Sequence, residues 1–318
     1  MRDRAFFLFP GQGAQYPGMG LDLLESGGEK IKNLFHLASE ITGKDMAGLI
    51  GNSTPEFLKR TDISQPTITL VNLAALTCLA ERGIRPSGCA GFSLGEYSAL
   101  AAAGVISEED CLFLVNKRGI AMQAAIDRIP PGPSNPGMAA VIGLAPERVE
   151  ALIAEWKYSG LTELNAANFN SPRQVVVSGS AAALEEAEKR FKEAGARRFM
   201  RLEVAGPYHS PFMKKAAEEF EACLEKVEFN DPAIPVFSNV SGRQIQSGAE
   251  AKDLARLHIL EGVRWTDEEA AIAALEPELI LEAGPGRVLQ GLWKETGSPV
   301  PCHGAGTAEE INNLAESL

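Results

Sequence analysis

Hydrophobic and polar positions between residues 138 and 204 switch repeatedly between a strand-like and a helix-like period. Runs of consecutive or alternating apolar residues predict strands, and apolar residues three or four positions apart predict helices. In chain order the pattern predicts a strand at Met138–Leu144, a helix at Pro146–Lys157, strands at Leu161–Phe169 and Gln174–Gly179, a helix at Ala181–Ala194 and a strand at Arg197–Val204. This β-α-β-β-α-β order predicts a ferredoxin-like lobe.

The segments on either side of this lobe follow a different pattern. Short apolar strands at Phe6–Phe9, Gly88–Gly91 and Leu279–Glu282 each lead into a glycine-rich turn and a helical stretch, which is typical of a parallel α/β sheet. Between the two patterns, Ile129–Gly137 contains four prolines and two glycines and predicts a linker. We therefore expect an α/β fold with a large catalytic domain at residues 1–130 and 205–318, and an inserted lobe at residues 131–204. Ligands are expected where the parallel strands end.

Composition narrows the range of partners. The 318 residues include 30 Lys and Arg against 42 Asp and Glu, a net charge of −12 that repels nucleic acids and anionic membrane surfaces. Five cysteines without a C-x-x-C pair predict a reducing compartment. Ala5–Phe9 is too short for the core of a signal peptide, and polar residues interrupt Leu70–Ala80. We therefore expect a cytoplasmic protein without a membrane span.

The sharpest chemical signal is the G-x-S-x-G sequence at Gly91–Gly95, which lies between a predicted strand and the helical run Glu96–Ala103. In a nucleophile elbow, this tight turn exposes the serine hydroxyl and directs the next N–H group towards a developing oxyanion. A purely structural turn is the alternative. The strand and helix around the motif favour Ser93 as a nucleophile.

A serine nucleophile needs a base, and the chain has only four histidines, at positions 36, 209, 258 and 303. His209 follows the last strand of the lobe, where the chain re-enters the larger domain, and is the candidate base. We expect His36 and His303 to be ordinary structural or surface residues, whereas the role of His258, after the predicted helix Ala249–Leu257, stays open. No aspartate is marked as a third member, so either a backbone carbonyl or Glu282 could orient the base.

Arg118 is the candidate residue for binding an anion. A capping box at Ser107–Asp110 predicts the start of a helix on which Arg118 shares a stripe with Cys111, Val115 and Met122 and therefore points inward. A buried guanidinium cannot escape its desolvation cost by deprotonating, so it needs an anion. A buried carboxylate of the protein and a carboxylate of a ligand remain equally open.

The loop after the first predicted strand, Phe9–Gln15, carries two closely spaced glycines. It lacks the third glycine of a dinucleotide fingerprint and the lysine of a P-loop, so binding of a cofactor phosphate is the weaker interpretation. A second oxyanion donor opposite Ser93 is the better one.

These motifs together resemble those of the malonyl-CoA:acyl carrier protein transacylases and the related acyltransferase domains of polyketide synthases. The matching blocks occur in the same order as in that family: PGQGAQ at 10–15, GFSLGEYSAL at 91–100, KRGIAMQ at 117–123, NFNSPRQVVVSG at 168–179, GPYHSPFM at 206–213 and EAGPGRVLQGL at 282–292. Three positions depart from the usual pattern. Phe92 stands where the family commonly has His, His258 where it often has Gln, and Gly262 where it usually has Pro.

The resemblance implies a hydrolase-like domain with an inserted ferredoxin-like lobe and the site between them. It implies Ser93 as the nucleophile, His209 as the base, the N–H groups of Gln12 and Leu94 as the oxyanion hole, and Arg118 as the group that binds the malonyl carboxylate. Phe92 and Tyr208 are expected to contact substrate, Tyr208 limiting the room for a substituent on the malonyl carbon. His258 is a candidate for orienting His209.

The expected activity is transfer of a malonyl group from coenzyme A to the phosphopantetheine thiol of an acyl carrier protein for fatty-acid synthesis, with malonyl-CoA as substrate. Neither a bound cofactor nor a metal is expected, and we expect a monomer. A stand-alone acyltransferase of polyketide synthesis, a thioester hydrolase and a non-catalytic carrier-protein subunit are the alternatives. Since carrier proteins of these pathways are generally acidic, docking needs a basic patch. The candidates are Lys189, Arg190, Lys192, Arg197 and Arg198, or Lys214 with Lys215.

Overall fold

The computed structural model of the chain describes residues 5–129, 132 and 135–318. Several positions of the predicted linker Ile129–Gly137 lie outside these described residues. The strands are β1 (Ala5–Phe9), β2 (Pro86–Gly91), β3 (Gly137–Ile142), β4 (Leu164–Ser171), β5 (Gln174–Gly179), β6 (Arg198–Arg201), β7 (Leu279–Glu282) and β8 (Cys302–Gly304).

The helices are also numbered in chain order. They are α1 (Leu21–Ser26), α2 (Glu29–Thr42), α3 (Met46–Asn52), α4 (Pro55–Leu58), α5 (Thr61–Glu81), α6 (Gly95–Ala102), α7 (Glu108–Asp127), α8 (Pro146–Tyr158), α9 (Ala181–Glu193), α10 (Lys214–Leu224), α11 (Gly248–Leu257), α12 (Trp265–Ala273), α13 (Val288–Glu295) and α14 (Ala308–Ser317). A short 3-10 turn at Pro211–Met213 precedes α10.

Strand β1 is the centre of a parallel sheet. The sheet has the order β2-β1-β7-β8, and each neighbouring pair is parallel. All five residues of β1, Ala-Phe-Phe-Leu-Phe, are buried, as is typical of a parallel strand that helices cover on both faces. The strands of this sheet are far apart in the sequence, and their carboxyl ends meet along one edge.

A second sheet is built from residues 137–201. Its order is β4-β5-β3-β6, with antiparallel neighbours throughout, and α8 and α9 pack against it. If its four strands are numbered from one to four along this segment, their order across the sheet is 2-3-1-4, which is the ferredoxin-like order. The predicted fold class, a parallel α/β domain with a ferredoxin-like unit, is therefore confirmed. The last strand is shorter than predicted, ending at Arg201 rather than Val204.

Helix α5 is long and apolar enough to cross a membrane by length and composition, but 83% of its most apolar window is buried inside the protein. It is therefore a core helix. One of its buried polar residues, Asn72, donates a hydrogen bond from Nδ2 to the carbonyl of Pro10, 3.0 Å away. This contact fixes the loop that follows β1.

The turn after β2 packs against β1 so closely that no side chain fits between them. A Cβ atom at residue 95 would lie 2.0 Å from the carbonyl oxygen of Phe9, and one at residue 91 would lie 2.0 Å from the backbone of Gly95. Glycine is therefore required at both positions for α6 to start where it does.

We expect Gly95→Ala to destabilise the protein by at least about 3 kcal/mol, because the clash is with backbone that cannot move aside. Gly291→Ala is the matched control. Gly291 lies in α13, and a Cβ atom there would have no other atom within 4 Å, so that alanine should be neutral or stabilise by up to about 1 kcal/mol. Urea denaturation of both variants checks this. Equal stability of the two variants would contradict the close packing.

Candidate active site

The edge where β1 and β2 end opens into a cavity of about 460 Å³ beside the second sheet. Residues from both sheets line it, and they include every site residue that the sequence predicted except His258. These residues are Gln12, Phe92, Ser93, Leu94, Arg118, Tyr208 and His209. The cavity therefore brings together predicted site residues that are nearly 200 positions apart in the sequence.

Ser93 lies between the end of β2 and the start of α6. Its φ is 48°, a left-handed conformation that is rare for a residue with a side chain and typical of a nucleophile elbow. The conformation turns the hydroxyl towards His209, whose Nε2 is 2.9 Å from the Ser93 Oγ. The serine and the histidine thus form a hydrogen-bonded pair.

His209 is held by its backbone and by its second ring nitrogen. Its φ is 51°, and Nδ1 is 2.8 Å from the backbone carbonyl oxygen of Glu261. Since a carbonyl only accepts, Nδ1 carries the proton and Nε2 is left to accept the proton of Ser93. Burial, and then the charge of Arg118, lower the pKa of His209 to about 4, so the ring is neutral at physiological pH.

A backbone carbonyl therefore supplies the orienting contact that the sequence left open. Glu282 is engaged elsewhere, because its carboxylate accepts the backbone N–H groups of Leu289 and Gln290 at the start of α13. The side chain of His258 packs edge-on against His209, with ring centroids 5.9 Å apart, and its nitrogens contact other residues. In this structure the carbonyl of Glu261, and not a side-chain nitrogen of His258, contacts Nδ1 of His209.

Two backbone N–H groups at the cavity are available to an oxyanion. The loop after β1 lies against the elbow, where a Cβ at residue 11 would be 2.2 Å from the carbonyl oxygen of Phe92. Within the described part of the chain, neither Gln12 nor Leu94 donates its backbone N–H to an acceptor. Both residues line the cavity beside Ser93. The arrangement is suited to stabilising negative charge on a tetrahedral intermediate.

Arg118 is 1% exposed, and no carboxylate of the described residues forms an ion pair with it. Its Nη2 is 3.4 Å from Nδ1 of His258, and its guanidinium carbon is 5.7 Å from the ring centroid of Tyr97. Its Nε has no hydrogen-bond partner among the residues that the structure describes. Burial lowers its pKa from the ordinary value. Of the two alternatives that the sequence left open, the structure favours a ligand carboxylate as the counter-ion.

Two aromatic residues shape the cavity. The ring of Phe92 packs edge-on against Trp265, with centroids 5.4 Å apart. The Tyr208 hydroxyl lies 2.7 Å from Oγ1 of Thr61 and accepts a hydrogen bond from Nε2 of Gln12 at 3.2 Å. Tyr208 therefore connects the loop after β1 to helix α5 as well as lining the cavity.

Sequence reasoning missed the groups that support this site. Glu261 acts through its carbonyl, which every residue possesses, so its identity carries no signal. Glu96 and Asn239 are buried beside Arg118 and His258, and the Asn239 N–H donates to Glu96 Oε2 at 2.7 Å. Glu96 follows Ser93 by three positions, and its place on the buried face of α6 could have been a signal.

The remaining candidates lie away from the cavity. His36 is on the surface beside Glu40, and His303 is exposed on β8. Among the described residues, no cluster of three or more His, Cys, Asp or Glu side chains could hold a metal ion.

The two basic patches that the sequence indicated are partly neutralised. Lys189, Arg190 and Lys192 on α9 lie beside glutamates of the same helix, and Lys214 lies 3.8 Å from Glu218. These surfaces therefore carry less free positive charge than their sequences indicate.

The fold and this site are typical of enzymes that transfer an acyl group through a serine nucleophile. The chain belongs to the acyl transferase family, since the model of the acyl transferase domain matches residues 6–311. It is 37% identical over 314 residues to the malonyl CoA-acyl carrier protein transacylase of Bacillus subtilis, covering 98% of this chain and 96% of that protein.

The chain is also similar to solved structures of malonyl transacylases. The malonyl CoA-acyl carrier protein transacylase of Clostridium perfringens superposes with a TM-score of 0.91 at 34% identity, covering 99% of this chain and 96% of the other. A malonyl-transacylase solved in complex with its type II polyketide-synthase acyl-carrier protein superposes with a TM-score of 0.89, also at 34% identity, covering 99% of this chain and 100% of the other.

The lowered pKa of His209 predicts how the reactivity of Ser93 depends on pH. Protonation would remove the base, but with a pKa of about 4 the ring stays neutral down to about pH 5. The rate of Ser93 modification by a sulfonyl fluoride should therefore change less than about twofold between pH 8 and pH 5, whereas an unshifted histidine would give a fall of about thirtyfold.

Arg118→Ala is the control for this pH profile, because it removes the charge of Arg118, which is the second cause of the lowered pKa of His209. The acid limb of the rate should then move to higher pH. A wild-type limb centred near pH 6.5 would contradict the assignment of a buried, neutral His209.

Proposed function

We propose that the protein transfers a malonyl group from coenzyme A to the phosphopantetheine thiol of an acyl carrier protein through a malonyl ester of Ser93. The observation that carries this proposal is a buried arginine, in the same cavity as the Ser93–His209 pair, with which no carboxylate of the described residues forms an ion pair. The names of the relatives support the same donor and acceptor. We also propose that residues 1–130 and 205–318 form the catalytic domain and residues 131–204 the inserted lobe.

In the first half-reaction, His209 Nε2 takes the Ser93 proton while Oγ forms a bond to the thioester carbon of malonyl-CoA. The carbonyl oxygen becomes an oxyanion, which the N–H groups of Gln12 and Leu94 stabilise. The intermediate collapses as the carbon–sulfur bond breaks, and His209 returns the proton to the sulfur of coenzyme A. A malonyl-serine ester and free coenzyme A result.

The second half-reaction runs the same steps with a different thiol. His209 accepts the proton of the phosphopantetheine thiol, and its sulfur attacks the ester carbon. The same two N–H groups stabilise the oxyanion. When the carbon–oxygen bond breaks, the proton returns to Ser93, and the enzyme is regenerated with the malonyl group on the carrier protein.

Arg118 supplies the preference for a dicarboxylic acyl group. A malonyl carboxylate can make two parallel hydrogen bonds to a guanidinium, whereas an acetyl group leaves the buried charge unpaired. Leaving one member of a buried charge pair unpaired costs roughly 2 to 5 kcal/mol. The preference for malonyl therefore depends on this one interaction.

The alternatives differ in what attacks the ester or in what receives the product. In a thioester hydrolase water would attack, and a monocarboxylic acyl group would have no use for Arg118. In polyketide synthesis the chemistry would be identical and only the acceptor carrier protein would differ. We propose fatty-acid synthesis in the cytoplasm as the setting, with a monomeric enzyme. Comparing carrier proteins of the two pathways as acceptors separates these settings.

Intact-protein mass spectrometry after mixing with malonyl-CoA tests the nucleophile. The wild type should gain one malonyl group, and Ser93→Ala should gain none, because the attacking oxygen is missing. The circular dichroism of Ser93→Ala should match that of the wild type, as a control for folding. Consumption of malonyl-CoA by the wild type without an adduct would favour the hydrolase, and an adduct on Ser93→Ala would overturn the assignment of Ser93.

Arg118→Ala tests the preference for malonyl. The rate of malonyl adduct formation should fall by roughly 30-fold or more, which corresponds to about 2 kcal/mol, while the acetyl adduct forms as fast as in the wild type or faster. Lys117→Ala is the matched control, since Lys117 is the exposed neighbour of Arg118 on α7. Equal losses for malonyl-CoA and acetyl-CoA in Arg118→Ala would contradict carboxylate binding by this residue.

A further inference from the structure

His258 follows helix α11 and is 1% exposed, in a polar cluster behind the cavity. Its Nδ1 is 3.4 Å from Arg118 Nη2, and its Nε2 is 3.2 Å from Asn239 Oδ1 and 3.5 Å from Glu96 Oε2. Its ring also packs edge-on against Tyr97 and His209. His258 thus accepts a hydrogen bond from Arg118, and Tyr97 also lies against the guanidinium.

The partners of His258 fix its protonation state. A guanidinium has only donors, so Nδ1 must be an unprotonated acceptor to make the contact with Arg118. The single ring proton then lies on Nε2 and points to Asn239 Oδ1 and Glu96. Burial, followed by the charges of Arg118 and His209, lowers the pKa of His258 well below its ordinary value. The geometry and the electrostatics therefore agree on a neutral ring.

Asn239 is in turn locked in one orientation. Its Nδ2 donates to the carbonyl of Gly91 at 2.7 Å and to Oε1 of Glu268 at 2.8 Å. Two acceptors on Nδ2 require Oδ1 to face His258. A chain of hydrogen bonds therefore runs from the end of β2, through Asn239 and His258, to Arg118.

This chain holds Arg118 without neutralising it. Glu96 is the carboxyl group closest to His258, and burial raises its pKa to about 8. Burial also raises the pKa of Glu268 well above the ordinary value. Glu96 is therefore largely uncharged at neutral pH, and burial favours the uncharged form of Glu268 as well. A carboxylate bound to Arg118 would compete with a ligand carboxylate, whereas a neutral nitrogen accepts one N–H and leaves the positive charge available.

We propose that His258 is a positioning residue for Arg118, which sets the malonyl preference by accepting a guanidinium hydrogen bond at Nδ1 and so directing the guanidinium into the cavity. The proposal rests on the proposed function, since it presumes that Arg118 binds the acyl carboxylate. It gives His258 a role distinct from the orientation of His209, which the Glu261 carbonyl performs.

The test measures malonyl and acetyl adduct formation in two variants. His258→Leu removes both nitrogens and keeps the bulk, whereas His258→Gln retains an acceptor for Arg118 and a donor for Asn239. We expect His258→Leu to lower the malonyl-to-acetyl rate ratio between about 10-fold and 100-fold, because a displaced guanidinium no longer meets the carboxylate. His258→Gln should keep the ratio within about threefold of the wild type. His303→Leu, on the surface, is the matched control and should change neither rate.

A double-mutant cycle separates this proposal from the proposed function. If His258 acts through Arg118, His258→Leu should have no further effect on the ratio in an Arg118→Ala background. An unchanged ratio in Arg118→Ala alone would overturn carboxylate binding by Arg118 and with it the proposed preference. Two outcomes would overturn only the positioning role of His258. The first is a malonyl-to-acetyl ratio that changes in Arg118→Ala but not in His258→Leu. The second is an equal loss of the malonyl and acetyl rates in His258→Leu.

Nitrogen-15 NMR of the wild type tests the geometry without any substitution, and it applies even if His258→Leu does not fold. The Nδ1 signal of His258 should be that of an unprotonated ring nitrogen at neutral pH, and Nε2 should carry the proton. The groups facing the ring are Arg118, Glu96, His209 and Tyr97. A protonated ring, or a proton on Nδ1, would overturn the proposal.

Discussion

The close approach of the loops after β1 and β2 is the constraint on which the site depends. Gly11 lies against the carbonyl of Phe92, and Gly95 lies against the carbonyl of Phe9, at distances that leave no room for a Cβ atom. Asn72 holds the first loop from behind through the Pro10 carbonyl. As a result, the N–H groups of Gln12 and Leu94 and the hydroxyl of Ser93 lie on two loops that pack directly against each other. Electrostatic stabilisation of an oxyanion requires such preorganisation, because donors that had to reorient would lose part of their effect.

The second half of the site is fixed by contacts between the two sheets. His209 reaches Ser93 from the chain that leaves β6, and the carbonyl of Glu261 holds its ring. The segment that contains Glu261 is itself bonded to β4, since Val263 donates its N–H to Ala167 and accepts that of Phe169. The ferredoxin-like unit therefore positions His209 in two ways, through the chain that follows β6 and through the bonding of β4 to the segment that contains Glu261. This unit also lines one side of the cavity, whereas the nucleophile and the oxyanion donors come from the loops that follow β1 and β2.

The sequence predicts the parts of this structure that rest on local patterns. The order of strands and helices in residues 138–204, the elbow at Ser93 and the inward direction of Arg118 follow from periodicity, glycine spacing and a capping box. The group that orients His209 could not be predicted, because it is a backbone carbonyl and every residue type has one. The cluster of Glu96, Asn239 and His258 was equally hidden, since its members come from three distant segments. The short last strand of the ferredoxin-like unit shows that the ends of elements depend on tertiary pairing as well as on pattern.

Within the described residues, the site keeps the buried positive charge of Arg118 without an ion-paired carboxylate beside it. Burial, followed by the charge of Arg118, lowers the pKa of both His209 and His258, so each ring remains neutral in the free protein. Burial keeps Glu96 largely protonated, so it does not act as a counter-ion. In the proposed reaction, a malonyl carboxylate would cancel the field of Arg118 when it binds. The part of the lowered pKa of His209 that comes from Arg118 would then be relieved, whereas the larger part that comes from burial would remain.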